Sequence, residues 1–176
     1  MEAGWEGDVA TLEEKKAILA PFIKAVLQLL ADEDFIKTNP GEPVLTSELF
    51  RHMYELYPGL RVSHLYDRRE SIQKRLNYLK GGAMKEAPII PDIIVHKVGA
   101  QDENVLVVEA KRHPNVDDGD DVWKLEGMTA EGGGYHYTLG VHITFNMRKQ
   151  VVSHCEAYSE GQADAEATAW LRENIP

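Results

Sequence analysis

The chain has 176 residues, 43% of them hydrophobic and 27% charged, and a formal net charge of −10. That length suits one domain with one sizeable core, and no apolar run approaches the ~20 residues that span a bilayer. The acidic balance excludes a globally basic nucleic-acid binder, whose affinity would come from phosphate neutralisation over its whole surface.

The opening MEAGWEGDVA is acidic and lacks the charged-then-apolar pattern of a signal peptide. The one cysteine, Cys155, cannot form an intramolecular disulfide and is expected to be a small buried apolar residue. Together these features predict a cytoplasmic protein without membrane association.

Residues 1–10 are expected to fray. Thr11 and Glu14 have the spacing of a capping box, and Leu19, Phe22, Ile23, Val26, Leu29 and Leu30 follow at helical spacing. Pro21 either kinks this helix or opens a new one. The apolar stripe would pack on the core or on a second protomer, so a homodimer through this helix is a candidate. An acidic loop with an Asn39-Pro40-Gly41 turn follows. Thr46 or Ser47 then caps a second helix, about 46–56, with Leu49, Phe50, Met53 and Leu56 as its stripe and Glu48 in its first turn. Residues 60–66 alternate as a strand, with Arg61, Ser63 and Leu65 on one face.

Residues 68–85 hold six basic side chains against Glu70, a local charge of +5 that leaves −15 for the rest. Such a patch can guide a polyanion on an acidic protein, or it is a solvated face. Ile72, Leu76 and Leu79 permit a short helix here, ended by Gly81-Gly82; an ordered loop is the alternative.

The stretch from Ile89 to His113 is the most informative. Two apolar β-branched runs, Ile89–Val95 and Val105–Val108, flank a polar turn and predict a β-hairpin. Asp92 interrupts the first run, and Glu109 with Lys111 closes the second on one strand face. If the strands pair so that Asp92 lies near Glu109, two carboxylates and an ammonium converge. Converging carboxylates in apolar surroundings are costly without a cation between them, and a hard divalent ion suits such ligands.

The acidic loop 113–121 lacks EF-hand spacing. Asp120 or Asp121 is expected to cap a helix through Thr129, anchored by a buried Trp123. Glu131-Gly132-Gly133-Gly134 reads as a flexible loop and not as a dinucleotide fingerprint. Residues 135–146 form a long strand, with Tyr137, Leu139, Val141, Ile143 and Phe145 on one face; 150–157 form another, and 163–173 a closing helix. None of the seven histidines pairs at zinc-ligand spacing. His96 lies about 13 Å from Asp92 along the strand by its rise per residue, so it is assigned a structural hydrogen bond. No Ser-centred elbow or Cys–His dyad is present.

Pro91-Asp92, sixteen intervening residues and Glu109-Ala110-Lys111 resemble the PD-(D/E)XK signature of the restriction-endonuclease-like nuclease superfamily. IIPDIIVH and NVLVVEAKR look like its small bacterial members. The resemblance covers about residues 46–146 and none of the first forty. It implies an α/β fold: an αβββαβ core with a mixed central sheet flanked by helices, plus an extra N-terminal helix. The domains would be a helical extension over 1–44 and a nuclease-like domain over 45–176. It also implies that Asp92 and Glu109, with the Ala110 carbonyl, hold Mg²⁺ or Mn²⁺, and that Lys111 acts on the attacking water and the phosphate. Glu48, with Glu55 behind it, would supply the acid that the first core helix often gives. Lys74 and Arg75 would meet phosphate, and Lys124 would orient a phosphate or the water. The implied reaction is phosphodiester hydrolysis in nucleic acid, DNA foremost. One departure is Leu65, where similar proteins tend to carry an acid. A rival reading is an interaction module on a nuclease-like fold with a degenerate site.

Overall fold

Helix α1 (Leu12–Ala31) begins at the expected capping box. The Thr11 hydroxyl accepts from the Glu14 N–H at 3.3 Å, and a Glu14 carboxylate oxygen accepts from the Thr11 N–H at 2.7 Å. The helix runs through Pro21 without ending. Its stripe, including Leu19, Phe22, Val26 and Leu29, is buried in the chain's own core. The stripe that suggests a protomer contact is therefore already covered. This computed structural model describes residues 8–64, 68–69, 72–73, 75–80, 83–99, 103–115 and 119–176, with the backbone alone over the described part of 68–88.

Asp32 ends α1 and caps the short α2 (Glu33–Lys37), accepting from the Phe35 N–H at 3.0 Å. Helix α3 (Glu42–Met53) starts four residues before the expected 46, from Gly41 with Pro43 in its first turn. Thr46 is not its cap; its hydroxyl donates to the Glu42 carbonyl at 2.9 Å inside the helix. The expected domain boundary between 44 and 45 thus falls within α3. α1, α3 and the sheet share one hydrophobic cluster, so α1 packs into the same core as the sheet.

The strands are β1 (Arg61–His64), β2 (Arg68–Arg69), β3 (Ile72–Gln73), β4 (Arg75–Lys80), β5 (Ala83–Pro88), β6 (Ile93–His96), β7 (Asn104–Arg112), β8 (Leu139–Asn146), β9 (Val151–Ser159) and β10 (Gln162–Ala163). Helix α4 (Asp120–Thr129) joins β7 to β8, and α5 (Ala165–Asn174) closes the chain. Six strands form a mixed sheet in the order β1-β6-β7-β8-β9-β10. β7 and β8 run parallel, and its other pairs are antiparallel. The window expected to form a helix or loop instead pairs β4 with β5, from Arg75 opposite Pro88 to Lys80 opposite Ala83. Leu65 and Lys74 lie outside the described residues.

Alternation along the strands divides the sheet between two apolar clusters. Val108, Ala110, Val141, Ile143 and Phe145 pack in the cluster that includes α1, α3 and α5. Ile94 and Val107 pack with Leu125 and Met128 of α4 and with Tyr135, Tyr137 and Tyr158. Tyr137, expected to share a face with Leu139, lies before β8 and belongs to the α4 cluster. Trp123 is half-buried at that cluster's edge, so Leu125 and Met128 are the helix's anchors. The glycine loop is a 3-10 turn, Glu131–Gly133. A Cβ on Gly133 would stand 2.0 Å from the Gly127 carbonyl oxygen, so this contact requires glycine. Cys155 is buried as expected, and burial pushes its thiol up to about 12. Among the described residues, no helix is long and apolar enough to cross a membrane.

Candidate active site

The β6–β7 register decides where the acids meet. Ile93 faces Val108, and one step further along the antiparallel pair sets Asp92 against Glu109. The Asp92 carboxylate accepts from the Ala110 N–H at 2.9 Å, which fixes the residue at the strand's entrance. Glu109 and Lys111 project from the same face of β7. On β8, His142 stands opposite Glu109 and Thr144 opposite Lys111.

Helix α4 lies on this face and adds two charged side chains one helical turn apart. Lys124 Nζ is 3.1 Å from Glu109 Oε2 and 3.0 Å from Asp121 Oδ1. Asp121 Oδ2 is 3.2 Å from Lys111 Nζ and 3.7 Å from His142 Nε2. From the first turn of α3, Glu42 Oε1 reaches to 3.6 Å from Lys111 Nζ. The His142 ring lies 5.4 Å from that of His154 on β9.

Burial and charge set the protonation states. Glu109 is 2% exposed. Its pKa is raised well above the usual carboxylate value, first by burial and then by the neighbouring Asp92. Burial also raises Asp92, against the lowering effect of the Ala110 N–H. Asp121 behaves oppositely. Burial pushes it up, but His142, Lys124 and Lys111 outweigh that and hold it below its ordinary value. Burial lowers Lys124, yet Glu109 and Asp121 more than compensate, so its pKa is raised. Lys111 is likewise raised, with Asp121 and Glu42 outweighing its desolvation. Both lysines are therefore cations at neutral pH.

The cluster holds four carboxylates, Glu42, Asp92, Glu109 and Asp121, against two ammonium groups. Glu109 Oε1 is buried without a hydrogen-bond partner among the described residues. A buried carboxylate oxygen in that state costs free energy until something binds it. Asp92 and Glu109, with the Ala110 carbonyl expected beside them, are the hard oxygen donors that Mg²⁺ takes, the ion keeping several waters. Among the described residues no ready-made group of three His, Cys, Asp or Glu ligands is gathered, so this candidate site rests on a carboxylate pair.

The structure thus brings together Asp92, Glu109, Ala110, Lys111 and Lys124. It does not bring Glu48 to them. Glu48 pairs with Arg51 and lies 3.6 Å from His52 Nε2. Six residues at 100° each turn Glu48 about 120° away from Glu42 around α3, roughly 9 Å along the axis. The acid that α3 brings near Lys111 is Glu42, not Glu48. Glu55 is exposed beside a separate cavity with Phe50 and Tyr54. Arg75 lies in β4, of which the backbone alone is described. Glu42, Asp121 and His142 were not expected in the site. Asp121 had a legible signal, since it precedes Lys124 by one helical turn. It is not the cap: Gly119 precedes the helix with φ 97°, leaving the Asp121 carboxylate for the lysines. His96 does bond structurally, with Nε2 3.0 Å from the Ser63 hydroxyl.

Comparison with protein-family models, with curated proteins and with solved structures finds no match for this chain.

Proposed function

We propose that the chain is a metal-dependent nuclease that hydrolyses phosphodiester bonds in nucleic acid, DNA foremost, on a restriction-endonuclease-like core. The observation that carries this reading is the pair of half-buried Asp92 and buried Glu109, with a Glu109 oxygen unpartnered among the described residues and a charged Lys111 two residues on. The element order agrees with it: α3, β1, β6, β7, α4 and β8 follow αβββαβ, with β2–β5 as an insertion.

A bound Mg²⁺ or Mn²⁺ would polarise a phosphoryl oxygen and lower the pKa of a water. The chain's own residues do the rest. Asp92 and Glu109 would hold the ion, and the Asp92 bond to the Ala110 N–H orients the first of them. Lys111 keeps its proton at neutral pH, so it acts as a hydrogen-bond donor and cation. It orients the attacking water and stabilises the negative charge that develops on the phosphate. Asp121 and Glu42 hold Lys111 in place. Lys124 neutralises Glu109 and Asp121, which could not otherwise sit charged so close together.

Two measurements test the reading. Mg²⁺ or Mn²⁺ should raise the melting temperature of the wild type but not of Asp92→Ala, since a ligand at a hundred times its Kd stabilises by about 2.7 kcal/mol. Lys111→Ala should keep that shift and lose cleavage of single- and double-stranded DNA and RNA. Retained cleavage in Lys111→Ala sinks the assignment. A second reading, a degenerate site serving as an interaction module, is favoured by the direct 3.1 Å contact of Lys124 with Glu109. It predicts nucleic-acid or protein binding with no response to either metal.

A further inference from the structure

Beyond the carboxylate cluster, a cleft of about 380 Å³ opens where the parallel strands β7 and β8 end. Arg112, His113, Asn146, Arg148 and Lys149 line it, with no carboxylate in its wall among the described residues. This is an exception on a chain of net charge −10. Among the described residues the Arg112 guanidinium makes only neutral contacts: Nη2 donates to Asn39 Oδ1 at 2.5 Å and Nη1 to the His113 carbonyl at 3.5 Å. Its Nε is buried without a hydrogen-bond partner among the described residues. Arg148 and Lys149 are exposed on the turn after β8, and neither has an ion pair among the described residues. Glu42 accepts from the Arg112 backbone N–H at 3.2 Å, and no ion pair to the Arg112 guanidinium is formed among the described residues.

We infer that this cleft binds a phosphate of the nucleic-acid strand other than the one being cut. The inference rests on the nuclease reading and names how the substrate is held. Three cations around one concavity, one with an unused buried donor, suit a tetrahedral anion with several acceptor oxygens. Arg112 follows Lys111 on β7, and alternation puts the two side chains on opposite sides of the strand end. A strand lying across that end would place one phosphate at Lys111 and another in the cleft. The ends of parallel strands are also where open α/β sheets tend to bind ligands.

The test is binding of a fluorescein-labelled single-stranded oligonucleotide, DNA and RNA in separate arms, followed by anisotropy with Ca²⁺ replacing Mg²⁺. The double variant Arg148→Gln, Lys149→Gln changes only exposed side chains and should fold as the wild type does. Its affinity should fall roughly tenfold, with the salt dependence shallower by about 0.7 for one lost phosphate contact. Inorganic phosphate should compete with the oligonucleotide on the wild type. Unchanged affinity and slope in the variant overturn the cleft while leaving the nuclease reading intact. Weaker binding by the variant, with no cleavage by the wild type, supports the cleft and overturns the nuclease. A wild type that neither binds nor cuts overturns both.

Discussion

Glu42 makes two kinds of contact at once. One oxygen faces the Lys111 ammonium; the other accepts from the Arg112 N–H at 3.2 Å and from Asn115 Nδ2 at 3.0 Å. It ties the end of β7 to the start of α3 and sets where Lys111 can point. Glu42→Gln should lower kcat about tenfold, as loss of a supporting contact commonly does, with little change in melting temperature. Glu48→Gln should cut at the wild-type rate, because Glu48 is engaged with Arg51. A larger loss from the Glu48 change would restore the sequence-based assignment. At this scale the sequence was informative where periodicity speaks. Asp92 and Glu109 interrupt or close apolar runs, and strand pairing makes their meeting readable. Glu42 is hidden in the sequence because the capping signals at Thr46 and Ser47 place the start of α3 four residues after its true start. Pro43 in the first turn is a start signal, but the preceding Asn39-Pro40-Gly41 turn and Thr46 competed with it. His142 carried no signal at all, since its neighbour Glu109 comes from another strand.

Two helices have a contact at one end that a single substitution probes. Helix α4, which carries Asp121 and Lys124, is held at its C-terminal end by the approach of Gly133 to the Gly127 carbonyl. On its sheet side, a Cβ on Gly140 would lie 3.1 Å from Leu125 Cδ2. Gly133→Ala should cost about 1–3 kcal/mol by overpacking, read as a lower urea midpoint, and an unchanged midpoint would contradict the contact. Helix α5 starts at Asp164, whose side chain accepts from the Ala167 N–H at 3.0 Å, from Ser159 at 2.7 Å and from Lys15 at 2.7 Å. Burial raises the Asp164 pKa, but these donors outweigh it and hold it below the ordinary value. Its stabilisation is thus present above an unfolded value of about 4 and lost as pH falls through the lower folded value. Asn can still cap a helix, so Asp164→Asn removes mainly the charge. The variant should be less stable than the wild type at neutral pH, and urea titrations should show the gap closing in acid. A gap constant with pH would mean that the charge contributes nothing. Both helices were legible as elements. The β4–β5 hairpin was not: Ile72, Leu76 and Leu79 match a helical stripe, while Gly81-Gly82 is equally a two-residue hairpin signal. Short apolar runs do not separate the two periods.

For the molecule as a whole, the N-terminal helix is part of the core. α1 buries seven apolar residues there, and at roughly 1.5–3 kcal/mol for each large side chain their burial matches or exceeds a typical net stability of about 5–15 kcal/mol. A chain beginning at residue 45 should therefore lack a cooperative urea transition and near-UV dichroism. A sharp transition in that fragment would reinstate the separate extension. The resemblance covers none of this helix, and its stripe read alone did not say which surface it would meet.

The parallel neighbours β7 and β8 have a consequence in time. A tight turn cannot join them, so the chain must pass through α4 before β8 can pair. During synthesis β7 is first an open sheet edge, rich in valine and carrying Glu109 and Lys111. Lys124 and Asp121 are not yet docked against it. A nascent chain in that state has unmatched carboxylates and an edge prone to mispairing. On the proposed nuclease reading, a polypeptide that ends before β8 would carry Asp92, Glu109 and Lys111 without the parallel strand that closes the β7 edge.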